Sequence, residues 1–248
     1  MRGWRIALHL ALPALLAGCA ASTLPSVHSE AERLSLARRL AQNHNYTDAT
    51  TLLKTYIDHN AGSAEVDHAV YLLGECYLGS KDYALGAVEF ERLLREFPES
   101  DSAGSAEFQL GAAYYGQARP ADFDQEYTRK ALDQWQRFLT DRPDHWRVPD
   151  AKHRVQLARM KLAGKLIDTG NLYVKLRDLG PARAYYHEVE EEYSDLPQLA
   201  DAWVGLARCD VLEKHPADAI ERLKQVESRF AGRPIAAVAL RERERLTR

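Results

Sequence analysis

The sequence predicts an all-α solenoid of about five stacked helix pairs. Two observations point to it. Small and aromatic residues recur in one register along most of the chain, and turn residues fall between the recurring blocks. The front of the chain differs in character and lies outside that register. One such helix pair cannot bury its own apolar face, so recurrence implies stacking.

Residues 1–18 read as a signal peptide rather than as part of the fold. Arg2 and Arg5 precede an apolar run from Ile6 to Leu16, too short to cross a bilayer as a stable helix, and the run ends in Leu16-Ala17-Gly18-Cys19. This is the pattern of a bacterial lipoprotein signal: small residues suit a narrow peptidase site, and the Cys19 thiol is the nucleophile that takes the lipid. The covalent lipid expected on Cys19 is S-diacylglycerol with N-palmitoyl, and several chains anchor firmly because each buried methylene adds ~0.8 kcal/mol. Ala20, where Asp would favour retention in the inner membrane, points to the periplasmic face of the outer membrane. Residues 19–29, with Pro25, form a short lipidated tether.

Residues 30–143 hold the first three units. With Gly74 as the eighth residue of a unit, Tyr77, Gly86, Phe90 and Pro98 fall at the eleventh, twentieth, twenty-fourth and thirty-second places, the spacing of a tetratricopeptide repeat. The preceding unit puts Ala37, Leu40, Ala49 and Leu53 in the same register, with Tyr46 where Tyr83 stands. The following unit reads Gly111, Tyr114, Ala131, Trp135, Phe138 and Pro143 once an insertion around Arg119 to Tyr127 is allowed. The small residues mark close helix approach and the large ones fill the space between.

Residues 144–233 hold two more units, after a slip in the register. Asp144 to Pro149 reads as a loop and Asp150 as the cap of a long first helix. Unit four follows as Gly170, Tyr173, Ala182 and Tyr186, and unit five as Trp203, Leu206, Ala207, Ala219 and Leu223. Pro181 and Pro216 suit the first position of second helices, where a missing amide proton costs nothing. Residues 234–248 read as a terminal capping helix. An ordinary bundle would also space Ala, Leu and Tyr helically, but five units in one register favour the stack.

Composition narrows the function. The chain has 33 basic and 36 acidic residues, and the leader removes two of the basic ones, so nucleic acid is not an expected partner. Cys76 and Cys209 lie on first helices three units apart and read as separate buried thiols rather than a bridge. No His-Glu-x-x-His, phosphate loop or Cys-x-x-Cys occurs, Asp122-Phe123-Asp124 lacks the Gly and Glu of a calcium loop, and no metal, cofactor or enzymatic activity is expected. The run Glu188, Glu190, Glu191 and Glu192 reads as a solvated helix face.

In tetratricopeptide stacks the first helices line a groove. Here the lining places hold Leu34, Arg38, His68, Tyr71, Leu78, Phe108 and Tyr115, with Gly79 and Gly116 beside them. Such a wall suits an extended peptide with aromatic side chains, its terminal carboxylate near Arg38. Alternatively, an adjacent helix or the insertion covers these residues.

Tyr71 to Pro98, Phe108-Gln109-Leu110-Gly111, Asp122-x-Asp124-Gln125-x-x-Thr128-x-x-Ala131 and Arg159-x-Lys161-Leu162-Ala163, behind a lipobox, resemble the BamD family of the β-barrel assembly machinery (BAM complex). The insertion motif of Asp122, Asp124, Gln125 and Thr128 is the most specific part. The resemblance implies a non-enzymatic periplasmic scaffold that helps recognise unfolded outer-membrane proteins and insert them into the outer membrane. Its carboxy-terminal repeats would dock a BamA-like barrel subunit, other assembly lipoproteins would join, and its amino-terminal repeats would receive the precursors. In the fourth unit Asp178-Leu179-Gly180-Pro181 and Tyr185 depart from the family pattern, so individual contacts do not carry over. A second reading is a periplasmic repeat lipoprotein that recruits peptidoglycan enzymes or coordinates envelope constriction; relatives of the latter kind usually carry a coiled coil before the repeats, and none is seen here.

Overall fold

The computed structural model describes residues 26–248. The signal peptide, Cys19 and most of the tether lie outside the described residues. Eleven helices and no strand occur among the described residues: α1 (Glu30–Gln42), α2 (Tyr46–His59), α3 (Val66–Gly79), α4 (Tyr83–Glu96), α5 (Ala103–Gln117), α6 (Glu126–Asp141), α7 (Val148–Lys175), α8 (Leu179–Glu192), α9 (Leu199–Leu212), α10 (Pro216–Arg229) and α11 (Pro234–Leu246). None is long and apolar enough to cross a membrane; the 28-residue α7 is interrupted by charges throughout.

Local chemistry sets the helix ends. Ser29 caps α1 by accepting from the Glu32 N–H at 3.2 Å, and the Glu32 carboxylate reaches back to the His28 N–H at 2.9 Å. Four of the turns between paired helices share one geometry. His44, Lys81, Arg177 and Lys214 each adopt positive φ, and the next N–H bonds the carbonyl five residues back, as in Asp82 to Tyr77 at 2.8 Å. No residue at these places is glycine, at a cost of about 1–2 kcal/mol each. In the third unit the insertion replaces this turn.

Two helix starts differ from the sequence reading. α7 begins at Val148, so Pro149 sits inside its first turn, and Asp150 does not cap; its carboxylate lies 3.6 Å from Arg147 instead. α8 begins at Leu179, making Pro181 its third residue rather than its first. Both prolines fall where first-turn amides have no intrahelical partner, so the helix extends past them in the N-terminal direction without loss.

Each helix packs on the next in the chain, and first helices also touch one another: α1 with α3, α3 with α5, α7 with α9, α9 with α11. Second helices make no comparable contact with each other. First helices therefore lie on the inner, concave side of a curved stack. The step from α5 to α7 lacks this contact, which places the break in the stack at the register slip.

The packing follows the small–large register. Phe90 lies against Gly74, Trp135 against Gly111, and Tyr186 against both Gly170 and Gly205. A methyl on Gly111 would collide with Trp135 Nε1, which donates to the Phe108 carbonyl at 3.0 Å and is held there. We therefore expect Gly111→Ala to lower stability by about 1–3 kcal/mol. Gly164→Ala in α7 meets open space and should raise stability by up to about 1 kcal/mol through helix propensity. Urea unfolding followed by circular dichroism checks both, and equal effects would contradict the packing account.

Candidate functional site: the inner wall of the stack

The wall of first helices is more polar than its sequence suggests. Arg38 pairs with Glu65 at 2.6 Å, the His68 ring meets the Ser102 hydroxyl at 2.9 Å, and the Gln109 amide donates to Glu75 at 2.5 Å. Arg159 to Asp195 and Arg208 to Glu242 continue the pattern in the later units. Each partner lies about one repeat further along the chain, so a polar ladder ties successive units across the inner face. Arg38, the expected receiver of a carboxylate, already holds one.

The residues expected to line the groove separate into two groups. Arg38, His68, Tyr71 and Leu72 surround a shallow hollow of about 450 Å³ with Glu65. Leu78 is half-buried. Leu34 and Phe108 are not wall residues: they are 5% and 3% exposed and belong to the core. Phe108 packs edge-on against Phe138, and the Arg147 guanidinium lies 4.8 Å above its ring. Tyr115 is half-buried, with Trp135 on one side and Lys161 Nζ 5.3 Å from its centroid. The adjacent helix α7 thus covers the third unit, the second of the two alternatives open from sequence. Gly79 and Gly116 give no clearance to a ligand either, because the rings of Tyr46 and Tyr83 sit against them.

Sequence reasoning missed Arg147 and Trp146. Arg147 lies between the rings of Phe108 and Trp146, 4.3 Å from the latter, and Trp146 is 67% exposed. Their signal was an aromatic next to a cation just before a helix, in a stretch read as loop.

The insertion motif builds a loop clamp. Gln125 is 2% exposed, and its amide donates to the Pro120 and Phe123 carbonyls at 2.8 and 3.1 Å, while the fully buried Thr128 donates to its Oε1 at 2.8 Å. Asp124 accepts from the Glu126 N–H at 3.3 Å. Asp122 presents its backbone carbonyl to Lys165 of α7 at 2.9 Å. Asp124, Gln125 and Thr128 therefore shape the insertion, and Asp122 fastens it to the long helix.

Two other sequence readings meet the structure differently. Cys76 and Cys209 are free and buried, and burial pushes the Cys76 thiol up to about 12. Glu190, read as part of a solvated face, is not: it accepts from Trp203 Nε1 and lies 2.6 Å from the His187 ring, joining α8 to α9. Glu188, Glu191 and Glu192 are exposed. No group of three or more His, Cys, Asp or Glu among the described residues could hold a metal ion.

A family model described as YfiO, outer membrane lipoprotein, matches residues 75–209. The chain belongs to this BamD-like family. A tetratricopeptide repeat model matches residues 34–101, within the first three units. No curated protein matches the sequence. Among solved structures, a tetratricopeptide repeat protein from Parabacteroides merdae is 13% identical over 88% of this chain and 72% of its own, with a TM-score of 0.39. The TPR-like repeats of a Podosopora anserina putative kinesin light chain are 16% identical over 82% and 96%, TM-score 0.43. The yeast Sti1 TPR2AB domain is 13% identical over 88% and 96%, TM-score 0.44.

Burial on the wall has a pH signature. Desolvation raises the Glu75 carboxyl above the ordinary carboxylate value, against the lowering effect of Gln109 and Tyr71. A folded-state pKa above the unfolded one means that stability is full when Glu75 is protonated and is lost as pH rises through the folded pKa. Glu75→Gln should therefore stabilise the protein at pH 7 to 8 and have little effect near pH 4, as read by thermal melts across pH. Phe108→Ala should cost about 3–5 kcal/mol in urea unfolding, as a core position does and a wall position does not.

Proposed function

We propose that this chain is a lipid-anchored periplasmic scaffold of the β-barrel assembly machinery, which helps receive unfolded outer-membrane proteins and deliver them for insertion. The observation that carries the reading is membership of the YfiO family, whose matched region runs from the second unit into the fifth. A curved stack whose first helices form an inner wall supports it, since such a wall can hold polypeptide while the convex side stays free for other subunits. The hollow around Arg38, His68 and Tyr71 is the proposed peptide-receiving end, and the carboxy-terminal repeats the proposed docking region for a BamA-like barrel subunit. Catalysis is assigned to no residue. Cys19, carrying S-diacylglycerol and N-palmitoyl, is the proposed anchor.

The test is pulldown of the acylated protein from detergent-solubilised envelopes. Copurification of the barrel-forming subunit is the expected result; peptidoglycan hydrolases without it would overturn the proposal in favour of an envelope-remodelling adaptor. Cys19→Ser should release the protein from outer-membrane fractions, and unchanged cofractionation would show that protein contacts hold it there.

A further inference from the structure

The carboxy-terminal ends of α7, α9 and α11 enclose an apolar cleft of about 510 Å³. Val174, Ala207, Val211, Leu212, Leu223 and Leu246 form its floor. Val211 and Leu212 are more than a third exposed, and Leu172 and Leu176 on the adjoining stretch of chain are more than half exposed. Scattered apolar residues are ordinary on a surface, but a gathered set beside a cavity is a binding surface in want of a cover.

The register explains why this end is open. In the first two units a tyrosine at the start of the second helix closes the gap to the next first helix by resting on a glycine: Tyr46 on Gly79, Tyr83 on Gly116. Counted from the left-handed turn residues, the glycine place holds Lys175 in unit four and Leu212 in unit five, and the tyrosine place holds Leu179 and Pro216. No ring closes the later gap, and Lys175 and Leu212 both line the cleft.

Charge selects the occupant. Lys175, Arg177, Arg208 and Arg245 rim the opening, and of these Arg208 alone has an acidic partner within the described residues, Glu242 at 2.6 Å. This basic rim stands out on a chain whose formal net charge is −3. We propose that the cleft binds a linear, acidic polypeptide segment in which bulky apolar side chains enter the floor while Asp or Glu side chains meet the rim. The cations sit at the ends of three separate helices around an open mouth, so they match carboxylates spaced along a chain rather than the single compact charge of a lipid headgroup. This inference is independent of the assembly reading above.

The experiment uses the full lipidated chain in phosphatidylcholine nanodiscs and a fluorescein-labelled, end-capped peptide of sequence Phe-Glu-Leu-Glu-Phe-Glu, read by anisotropy. We expect it to bind about tenfold more tightly than the same peptide with Gln for Glu, with the gap closing as salt is raised. Val211→Glu and, separately, Arg245→Glu should each weaken the Glu peptide by about tenfold, with unchanged circular dichroism. Equal affinity for the Glu and Gln peptides would overturn the proposal. So would unaltered binding in Arg245→Glu, an exposed position whose substitution does not threaten the fold, or displacement of the peptide by phosphatidylglycerol vesicles. A pulldown that failed to recover the barrel subunit would leave these measurements untouched.

Discussion

The structure depends on one steric constraint: an aromatic ring laid on a bare glycine backbone. Phe90 on Gly74, Trp135 on Gly111 and Tyr186 on Gly170 fix how closely the two helices of a unit approach. Tyr186 does this twice, because its ring also fills the space a side chain would take at Gly205 of the next unit. One ring thereby sets both a within-unit and a between-unit distance, and its hydroxyl is satisfied by Asn171 at 2.9 Å. The first helices then stand close enough for the polar ladder of the inner wall.

Where the spacing does change, the chain adds charge to apolar contact. α5 and α7 do not approach as closely as other first helices do, and beside the apolar cluster that Phe108 shares with Ala151 and Ala158 lie cations from α7 and the residue before it: Arg147 over Phe108, Lys161 over Tyr115, and Lys165 on the Asp122 carbonyl. Cation–π contacts tolerate more variation in distance than ridge-and-groove packing does, so an insertion on one side and a longer helix on the other can be accommodated together. The same contacts hide the aromatic residues of the third unit, which confines the accessible part of the amino-terminal wall to the first two units and the exposed Trp146.

The units were legible because small and large residues at fixed places report directly on helix approach, and Gly74 with Phe90 or Gly170 with Tyr186 needs no knowledge of neighbours. The wall was not, because Phe108 and Tyr115 were assigned from the face of their own helix, whereas their exposure is decided by α7, whose start was itself read three residues late. The turns were legible as turns, but their left-handed backbone was not: His44, Lys81, Arg177 and Lys214 are not the glycines that such a backbone favours. Glu190 misled for a related reason. In a run of acids the one that turns inward is picked out by Trp203, which lies on the next helix.

The two halves of the inner wall thus differ in how they resolve one packing problem. Toward the amino terminus, tyrosine rings seated on Gly79 and Gly116 close the gap between units, and the ladder of Arg38, His68 and Glu75 engages the polar groups that a ligand would need. Toward the carboxy terminus the seat is missing, apolar side chains stay exposed, and most rim cations stay unpaired. Leaving that surface uncovered forgoes about 25 cal/mol for each Å² of apolar area, a loss that a tyrosine and a glycine would have removed. The proposed carboxy-terminal cleft therefore offers more uncovered apolar surface to a bound segment than the amino-terminal hollow does.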